Sequence, residues 1–325
     1  ALSLDLAEAR QNQTIGDLSK RLNMEQAGYR SLISKTGRAL PFKTVPTSYK
    51  EALEGIDERW GDPAYWQTIR RNSSSLTPYY LLAALDHRID DLGELVSATP
   101  DQSIYLNIFA RTFWMGLVIT AICLLLAYPL AYAMAFKAGR WRNVMLIAVI
   151  APFFTSFILR TVAWRQILAD EGPVASTLNT LHLLPGGRIT ETWIAVVAGL
   201  TYNFLPFMVL PIYASLERAD SRVIEAGGDL YANGFTTFRT VTLPISMPGV
   251  LAGTLLTFIP AAGDYVNAEL LGSDNTKMIG NVIESQFFRV PGGFPTAAAL
   301  SFTLMALILA MVFVYVRRFG TEELV

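Results

Sequence analysis

Two carboxylates, Asp264 and Glu269, follow directly on a strongly apolar segment. Carboxylates near membrane depth are costly and tend to face a protein interior or an aqueous path. They attract ammonium groups, and an aromatic face such as Tyr265 or Tyr202 adds a cation–π stabilisation of about 0.5–2 kcal/mol. These side chains, together with Asn203, are therefore candidates for the lining of a path that is compatible with a cationic solute.

A plainer interpretation is that the acidic side chains cap helices or form ion pairs with Arg160 and Arg165. Arg160 ends an apolar run, and Trp164 follows four residues later. This arrangement is typical of an interfacial anchor whose charge reaches the membrane surface. A gating ion pair between Arg160 and Asp264 is the alternative.

A second polar stretch, Glu225 to Gly249, lies between two apolar segments. Residues Arg222 to Tyr231 can form a short amphipathic helix, and Asn233-Gly234 supplies residues that tolerate positive φ. Phe235 to Val241 can form a second short helix, which Leu243-Pro244 would stop. The stretch predicts a helix-turn-helix knob on one face of a membrane.

The spacing in this knob resembles the EAA loop of permease subunits in binding-protein-dependent ABC importers. That pattern is Glu-Ala-Ala, three residues, Gly, nine residues, a branched aliphatic residue, one residue, then Leu-Pro. The matching positions are Glu225, Ala226, Val241, Leu243 and Pro244. Two positions depart: Gly227 replaces the second Ala, and Tyr231 replaces the Gly. Gly234 follows three residues later, so the turn is displaced along the chain.

The resemblance implies that this knob docks in a groove of a cytoplasmic ATPase and couples it to the membrane helices. Glu225 and Arg239 would make polar contacts there. Ala226, Gly227 and Phe235 would give close packing. An ordinary cytoplasmic loop between two membrane helices is the plainer interpretation.

Composition indicates a chain that is partly embedded in a membrane. The 325 residues are 52% hydrophobic and 16% charged, and the mean hydropathy is +0.36. The net charge of −1 shows no excess of positive charge of the kind that nucleic-acid-binding proteins carry. The single cysteine, Cys123, excludes an intrachain disulfide and a thiolate metal site. The two histidines, His87 and His182, do not support a metal site either.

Several apolar segments reach the roughly 20 residues that a membrane-spanning helix needs. They are Ile104 to Phe136, Val144 to Ile167, Thr192 to Leu216, Ile245 to Ala262 and Pro295 to Phe319. Lys and Arg are enriched in cytoplasmic loops. That bias places on the inside the residues Lys137, Arg140, Arg142, Arg218, Arg222, Arg239, Arg317 and Arg318. Loops 168–191 and 263–294 and the first hundred residues then lie outside.

Residues 1–103 are charge-rich and predict a helical extracytoplasmic region, with helix-like stretches at Leu2 to Leu22 and Ser75 to Val96. Trp60, Tyr65 and Trp66 would form its core or a docking surface. Because export of such a region normally needs a preceding membrane helix, we expect a further span upstream, which would make six.

The region Thr257 to Gln286, the stretch Leu205 to Tyr213 and the knob together resemble the first permease subunit of spermidine/putrescine importers. The similarity covers about residues 100–320. It implies one half of a heterodimeric pore in a bacterial inner membrane. The implied partners are a second permease, two cytoplasmic ATPases and a periplasmic solute-binding protein. It also implies a polyamine or a related cationic solute, although the same permease group handles other solutes.

The sequence lacks the residues that other classes of function would need. We find no Gly-x-x-x-x-Gly-Lys-Ser/Thr phosphate cradle, so no cofactor is expected in this chain, and ATP with Mg²⁺ would bind the partner ATPase. A membrane enzyme would need a convergent His, Asp or Cys group. An ion-coupled secondary transporter is the main alternative, but it would carry repeated halves and coupling-ion residues. A permease for a non-polyamine solute also stays open.

The predicted fold is therefore an all-α polytopic membrane protein with the transmembrane core of a type I ABC importer. Residues 1–103 form the extracytoplasmic region, and residues 104–319 form the permease core. Within that core, residues 217–244 form the coupling loop. Residues 320–325 form a cytoplasmic tail.

Overall fold

Helices make up most of the regular structure in this chain, as its long apolar runs require. The structure is a computed structural model. It describes residues 2–40, 42, 46–72, 77–90, 94–98, 103–181, 189–220, 222–223, 226–227, 233–290 and 292–319. The chain divides into two units, Ala1–Ser103 and Ile104–Val325.

The first unit contains six short helices and one hairpin among its described residues. The helices are α1 Leu2–Gln11, α2 Ile15–Glu25, α3 Tyr29–Ala39, α4 Tyr49–Ile56, α5 Pro63–Arg71 and α6 Tyr79–Ala84, with a 3₁₀ turn at Glu58–Gly61. Strands β1 His87–Ile89 and β2 Leu95–Ser97 pair antiparallel, with His87 opposite Ser97. Side chains at helix starts fix several of these boundaries, because Ser48 and Asp62 accept hydrogen bonds from the first turns of α4 and α5.

Aromatic side chains form the core of this unit. Trp60 is 1% exposed, and its indole Nε1 donates to Thr36 Oγ1 at 2.9 Å. The rings of Tyr29 and Tyr65 lie 4.9 Å apart in the same buried cluster. Trp66 stacks on Trp60 but is 38% exposed. The core interpretation is therefore correct for Trp60 and Tyr65, whereas Trp66 lies at the surface.

Two helix predictions in this unit are wrong in extent. The stretch Leu2 to Leu22 is broken between α1 and α2, where Gln13 adopts a positive φ of 59°. The stretch Ser75 to Val96 contains only the short helix α6, followed by the hairpin. Asp86, with φ of 54°, turns the chain out of α6 into β1, because a left-handed residue cannot continue a right-handed helix.

The second unit is a helical bundle. Its helices are α7 Tyr105–Tyr132, α8 Arg142–Ile150, α9 Phe157–Leu168, α10 Pro173–Thr180, α11 Trp193–Glu217, α12 Gly234–Thr237, α13 Leu243–Gly263, α14 Val266–Leu271, α15 Ile279–Phe288 and α16 Phe294–Phe319. Shorter turns at Ala133–Lys137 (π), Gly139–Trp141, Ala151–Phe154, Phe238–Thr242 (π) and Asp274–Thr276 join them.

Among the described residues, four continuous helical stretches are long and apolar enough to cross a membrane. They are Tyr105–Lys137, Trp193–Glu217, Gly234–Gly263 and Phe294–Phe319. The remaining predicted span, Val144 to Ile167, is a pair of helical segments bent by 100°. Pro152 lies in the 3₁₀ turn before the bend, and Thr155 is extended there. A missing proline N–H and an extended residue together end a helix, so this segment is bent and does not form one straight span.

Small residues allow the central helices α7, α11 and α13 to pack closely. A Cβ atom on Gly249 would lie 2.5 Å from the carbonyl oxygen of Pro211, and one on Gly116 would lie 3.0 Å from the Phe258 ring. Within the bundle, Ile119, Leu200 and several further side chains are fully buried. Close backbone approach at small residues is how helices associate in a membrane.

The Asp57 carboxylate ties α3 to the 3₁₀ turn in the first unit. It accepts from Arg59 Nε at 2.9 Å and from Lys35 Nζ at 3.3 Å. The Arg59 guanidinium holds the pKa of this carboxyl well below its usual range. Arg59 Nη1 also donates to the carbonyl of Gly28 at 2.9 Å, so the same cluster fixes the start of α3.

We expect Asp57→Asn to lower the local unfolding free energy by about 1–2 kcal/mol, because the charge-assisted hydrogen bonds are lost. Amide exchange in residues 29–39 of the full chain should then be about tenfold faster at neutral pH. Folding lowers the pKa of the Asp57 carboxyl. The stabilisation by its ionised form is therefore complete above about pH 4, near the unfolded pKa, and disappears as the pH falls through the folded pKa. Glu58→Gln, at an exposed neighbour, is the control. Equal exchange in both variants would contradict the role of Asp57.

Candidate functional site

Asp264 occupies the junction between α13 and α14. It is the first residue after the span that ends at Gly263, and it is 8% exposed. Its Oδ1 accepts the backbone N–H of Asn267 at 2.8 Å, and the Asn267 side-chain Nδ2 lies 3.2 Å from Oδ2. Among the described residues, no cation pairs with this carboxylate.

Asn267 connects this carboxylate to two other helices. Its side-chain Oδ1 accepts from Asn203 Nδ2 on α11 at 3.1 Å and from Thr161 Oγ1 on α9 at 3.0 Å. All three side chains are buried. The structure therefore brings together two residues predicted from the sequence, Asp264 and Asn203, because the Asn267 side chain hydrogen-bonds to both. We define these four residues, Asp264, Asn267, Asn203 and Thr161, as the amide–carboxylate cluster.

Some polar atoms in the same bundle are buried and have no hydrogen-bond partner among the residues that the structure describes. Besides atoms of Arg160, they include Asn203 Oδ1, Thr201 Oγ1 and Thr257 Oγ1. Buried polar groups normally have partners, so unsatisfied ones are candidates for contact with water or a ligand. Asn203 Oδ1 adds a free acceptor to the amide–carboxylate cluster.

Glu269 belongs to a different group of side chains. It accepts from Arg289 Nη2 at 3.0 Å and from Asn281 Nδ2 at 3.1 Å. Arg289 also lies 3.3 Å from Glu284. About a third of the Glu269 side chain is exposed. Its charge is thus already balanced by a cation at the surface, unlike that of Asp264. The ion-pair interpretation holds for Glu269, although its partner is Arg289 and not Arg160 or Arg165.

The two candidate tyrosines do not hydrogen-bond to the cluster. Tyr265 is 45% exposed, and its carbonyl accepts from Asn281 Nδ2. The Tyr202 ring lies 5.4 Å from the Trp164 ring and lines an apolar cavity of about 620 Å³. Although Tyr202 and Asn203 are neighbours in sequence, they leave α11 in different directions.

Arg160 does not pair with Asp264 in the part of the chain that the structure describes. Its guanidinium carbon lies 5.7 Å from the centre of the Phe157 ring. Its Nε and Nη1 are buried and have no hydrogen-bond acceptor. The alternative interpretation, a gating ion pair, is therefore not formed in this conformation.

The knob is described at Ala226 and Gly227 and from residue 233 onward, whereas Glu225 and Tyr231 lie outside the described residues. Gly227 is buried, and its carbonyl accepts from Thr237 Oγ1 at 3.2 Å. A Cβ atom at this position would lie 2.9 Å from Val241 Cγ2. Since a β-branched side chain moves little, packing explains glycine where the EAA pattern has alanine.

The turn of the knob differs from the prediction. Neither Asn233 nor Gly234 adopts a positive φ. Instead, the Asn233 side chain accepts from the backbone N–H of Phe235 at 3.0 Å, and Gly234 begins α12. The side chains of Phe235, 70% exposed, and Arg239 project from the surface and are free to contact a partner.

Leu243-Pro244 does not stop the second helix of the knob. Helix α12 continues through the π turn at Phe238–Thr242 into α13 without a break, and Gly234–Gly263 is one apolar span. Pro244 lies just after that π turn, and such a local change in the backbone hydrogen-bond pattern lets a membrane helix continue through a proline. The second helix of the knob is thus continuous with the span that ends at Gly263, directly before Asp264.

Two sets of contacts fix the helix ends around the knob. Tyr128 on α7 contacts the Phe238 ring at 5.3 Å, and its hydroxyl lies 2.7 Å from Ser246 Oγ. At the end of α11, Glu217 accepts from Arg142 Nη1 at 2.9 Å and from Tyr213 at 2.7 Å. Motion of the knob would therefore be transmitted to α7 and α13.

The second helix of the knob runs without a break into an apolar span, and a buried carboxylate lies at the other end of that span. This arrangement is compatible with a membrane transport subunit. Comparison with known proteins agrees. The family described as binding-protein-dependent transport system inner membrane component matches residues 80–319. The chain belongs to this family, which confirms the resemblance drawn from the knob. It is a multi-pass inner membrane permease subunit and not an enzyme by itself, and its family works with ATPases and solute-binding proteins in general.

Individual relatives are consistent with this membership. The spermidine/putrescine transport system permease protein PotB of Haemophilus influenzae is 37% identical over 220 residues, which cover 66% of this chain and 77% of that protein. The inner membrane ABC transporter permease protein YdcU of Escherichia coli is 34% identical over 231 residues, covering 67% and 72%. The fold is similar to that in a bacterial ABC transporter that imports the acidic polysaccharide alginate, with a TM-score of 0.52 and 16% identity over 66% of this chain and 80% of that chain.

The comparisons and the structure together confirm the predicted all-α permease fold. They also favour it over an ion-coupled secondary transporter, because the matched family is that of binding-protein-dependent systems. Sequence reasoning missed Thr161, whose type and surroundings carry no chemical signal. The sequence pattern assigns no role to Asn267 either, although it lies between the two carboxylates in the chain.

We expect Asn267→Ala to destabilise the bundle by about 2–4 kcal/mol, because Asn203 Nδ2 loses its acceptor and Asp264 loses a donor. The apparent thermal midpoint of the purified chain in detergent is the measurement. Asn179→Ala, at an exposed position of α10, is the matched control. An unchanged midpoint for Asn267→Ala would show that the amide–carboxylate cluster does not hold these helices together.

Proposed function

We propose that this chain forms half of the membrane path of an ATP-driven importer for spermidine, putrescine or a related small cation. The observation that carries the proposal is the buried Asp264 carboxylate, which has amide donors but no paired cation among the described residues. A buried charge without a counter-ion is costly, so a site of this kind favours a cationic ligand. The names of the PotB relatives support the same solute class.

The chemistry suits an ammonium group. Such a group donates up to three hydrogen bonds, and the cluster offers the Asp264 carboxylate and the free Asn203 Oδ1 as acceptors. Asn267 holds both residues, because it contacts each directly. Tyr265, partly exposed beside this junction, would add an aromatic face. Glu269 would act only as a secondary attraction, since Arg289 already neutralises it.

Energy would come from a cytoplasmic ATPase dimer that binds Mg²⁺ and ATP and receives the knob. Ala226, Phe235 and Arg239 expose their side chains for that contact, and Glu225 would add a charge. Because α12 runs without a break into α13, a shift of the knob would move the helix that ends at Asp264. Transport would then follow from different affinities of ATP and of the loaded binding protein for the inward-open and outward-open states.

The remaining assembly follows from the charges at the helix ends. The basic residues around Lys137, the knob and Arg317 would lie in the cytoplasm, together with residues 320–325. Residues 1–103 would lie in the periplasm, where a solute-binding protein docks. A second permease would complete the path as a heterodimer, and lipid would cover the outer surface.

A second candidate is a permease of the same class for a solute that carries a carboxylate. The observation that favours it is Arg160, whose buried Nε and Nη1 have no acceptor. A buried guanidinium without a partner is also costly and is suited to a bidentate carboxylate. The same uptake measurement separates the two candidates.

We expect Asp264→Asn to lower ATP-dependent uptake of labelled spermidine and putrescine by about tenfold at subsaturating solute, because a charge-assisted contact is lost. The assay uses vesicles that contain this chain and its co-purifying subunits, with and without internal ATP. Asp274→Asn, at a side chain that is 92% exposed, is the control and should transport normally. ATPase stimulation without polyamine uptake would reject the polyamine in favour of another solute, and uptake driven by an ion gradient alone would reject the importer.

We expect Glu225→Lys to uncouple ATP hydrolysis from uptake while leaving assembly of the subunits intact, because the charge of the knob is reversed at the ATPase contact. Uptake and ATP hydrolysis are measured in the same vesicles. Glu171→Lys makes the same charge change in loop 168–191, at an exposed residue on the opposite face, and should leave coupling unchanged. Normal uptake by Glu225→Lys would show that the knob is an ordinary loop.

A further inference from the structure

An apolar cavity of about 930 Å³ lies between α7 and the helix that continues from the knob. Leu125, Tyr128 and Tyr132 line one side, and Phe238 and Val250 line the other. The volume falls in the range of about 300–1,000 Å³ that is usual for ligand sites. The amide–carboxylate cluster shares no residue with this cavity.

Lys137 is the one charged side chain among the described residues that line the cavity. It is exposed, and its Nζ lies 5.7 Å from the centre of the Tyr132 ring. It forms no ion pair with the described carboxylates, whereas its neighbour Arg142 is paired with Glu217. The cavity therefore combines a hydrocarbon lining with an unpaired cation at one end.

We propose that this cavity binds a phospholipid with an anionic headgroup from the inner leaflet. The acyl chain would lie against Leu125, Phe238 and Val250, and the phosphate would contact Lys137. Basic pockets between membrane helices on the cytoplasmic side bind anionic headgroups in this manner. The leaflet assignment rests on the proposed function, since that proposal places Lys137 on the cytoplasmic side.

A helix of the companion permease suits this cavity less well. A second helix would bury Lys137 in an apolar contact, and an unpaired buried ammonium is costly. A phospholipid supplies the anion together with the hydrocarbon. Leu125 is 74% exposed, so the cavity has an accessible apolar edge that a single chain can cover.

A lipid in this cavity would affect the coupling between the knob and α7. The cavity is lined by Gly234, Thr237 and Leu243 as well as by α7. These residues belong to the knob and to the start of α13. A bound lipid would therefore contact both the element that receives the ATPase and the first membrane span, and it would stabilise one arrangement of the two.

The test is native mass spectrometry of the assembled transporter, incubated with dioleoyl phosphatidylglycerol or with dioleoyl phosphatidylcholine. We expect preferential retention of phosphatidylglycerol, weakened about fivefold by Lys137→Gln through loss of one interfacial cation. Ala133→Phe, which fills the cavity and keeps Lys137, should also release the lipid. Arg318→Gln removes an exposed cation at the end of α16, outside the cavity, and should retain it.

Three outcomes would overturn the lipid site. They are equal retention of the two lipids, equal effects of Lys137→Gln and Arg318→Gln, and efficient cross-linking of Leu125→Cys to the companion permease. Lipid retention is measured without solute or ATP. Failure of polyamine uptake would therefore leave the lipid site standing, and failure of lipid binding would leave the importer assignment standing.

Discussion

The hydrogen bonds of the Asn267 side chain hold together the end of the bundle that contains Asp264. Inside a membrane protein there is little water to satisfy polar groups, so one amide must serve several partners. Asn267 donates to Asp264 and accepts from both Asn203 and Thr161. It thereby joins α9, α11 and the junction of α13 and α14, and it orients a carboxylate without neutralising it. The same interaction that holds the helices leaves a negative charge available for a solute.

One continuous helix connects the Asp264 carboxylate to the knob at its other end. The stretch Gly234–Gly263 starts in the knob and stops at the residue before Asp264. Its π turn at Phe238–Thr242 and the π turn at Ala133–Lys137 both line the apolar cavity beside Lys137. π turns often occur at functional sites, because they widen the helix and change the direction of side chains. Both irregularities lie at the end of the bundle that would face the ATPase.

Sequence patterns identified the elements better than their boundaries. The apolar runs locate the spans, because a helix that crosses a membrane must be apolar over most of its length. Pro244 is misleading, since proline is read as a helix stop, whereas the π turn before it lets the helix continue. The hairpin after α6 was missed because Asp86 ends that helix through its backbone conformation, which periodicity does not report. Gly227 departs from the family pattern for a packing reason that only its contact with Val241 reveals.

The sequence by itself determined the class of protein, since long apolar runs and the spacing of the knob are local properties that survive without a structure. It also identified Asp264 and Asn203 as candidates, because polar side chains at membrane depth are costly and few. Only the tertiary structure decided which of these side chains meet. Thr161 and Asn267 are 106 residues apart in the chain, and Glu269 pairs with Arg289 instead of joining Asp264. Contacts between helices depend on how the helices cross and on where each side chain leaves its helix, and no pattern within one segment contains that information.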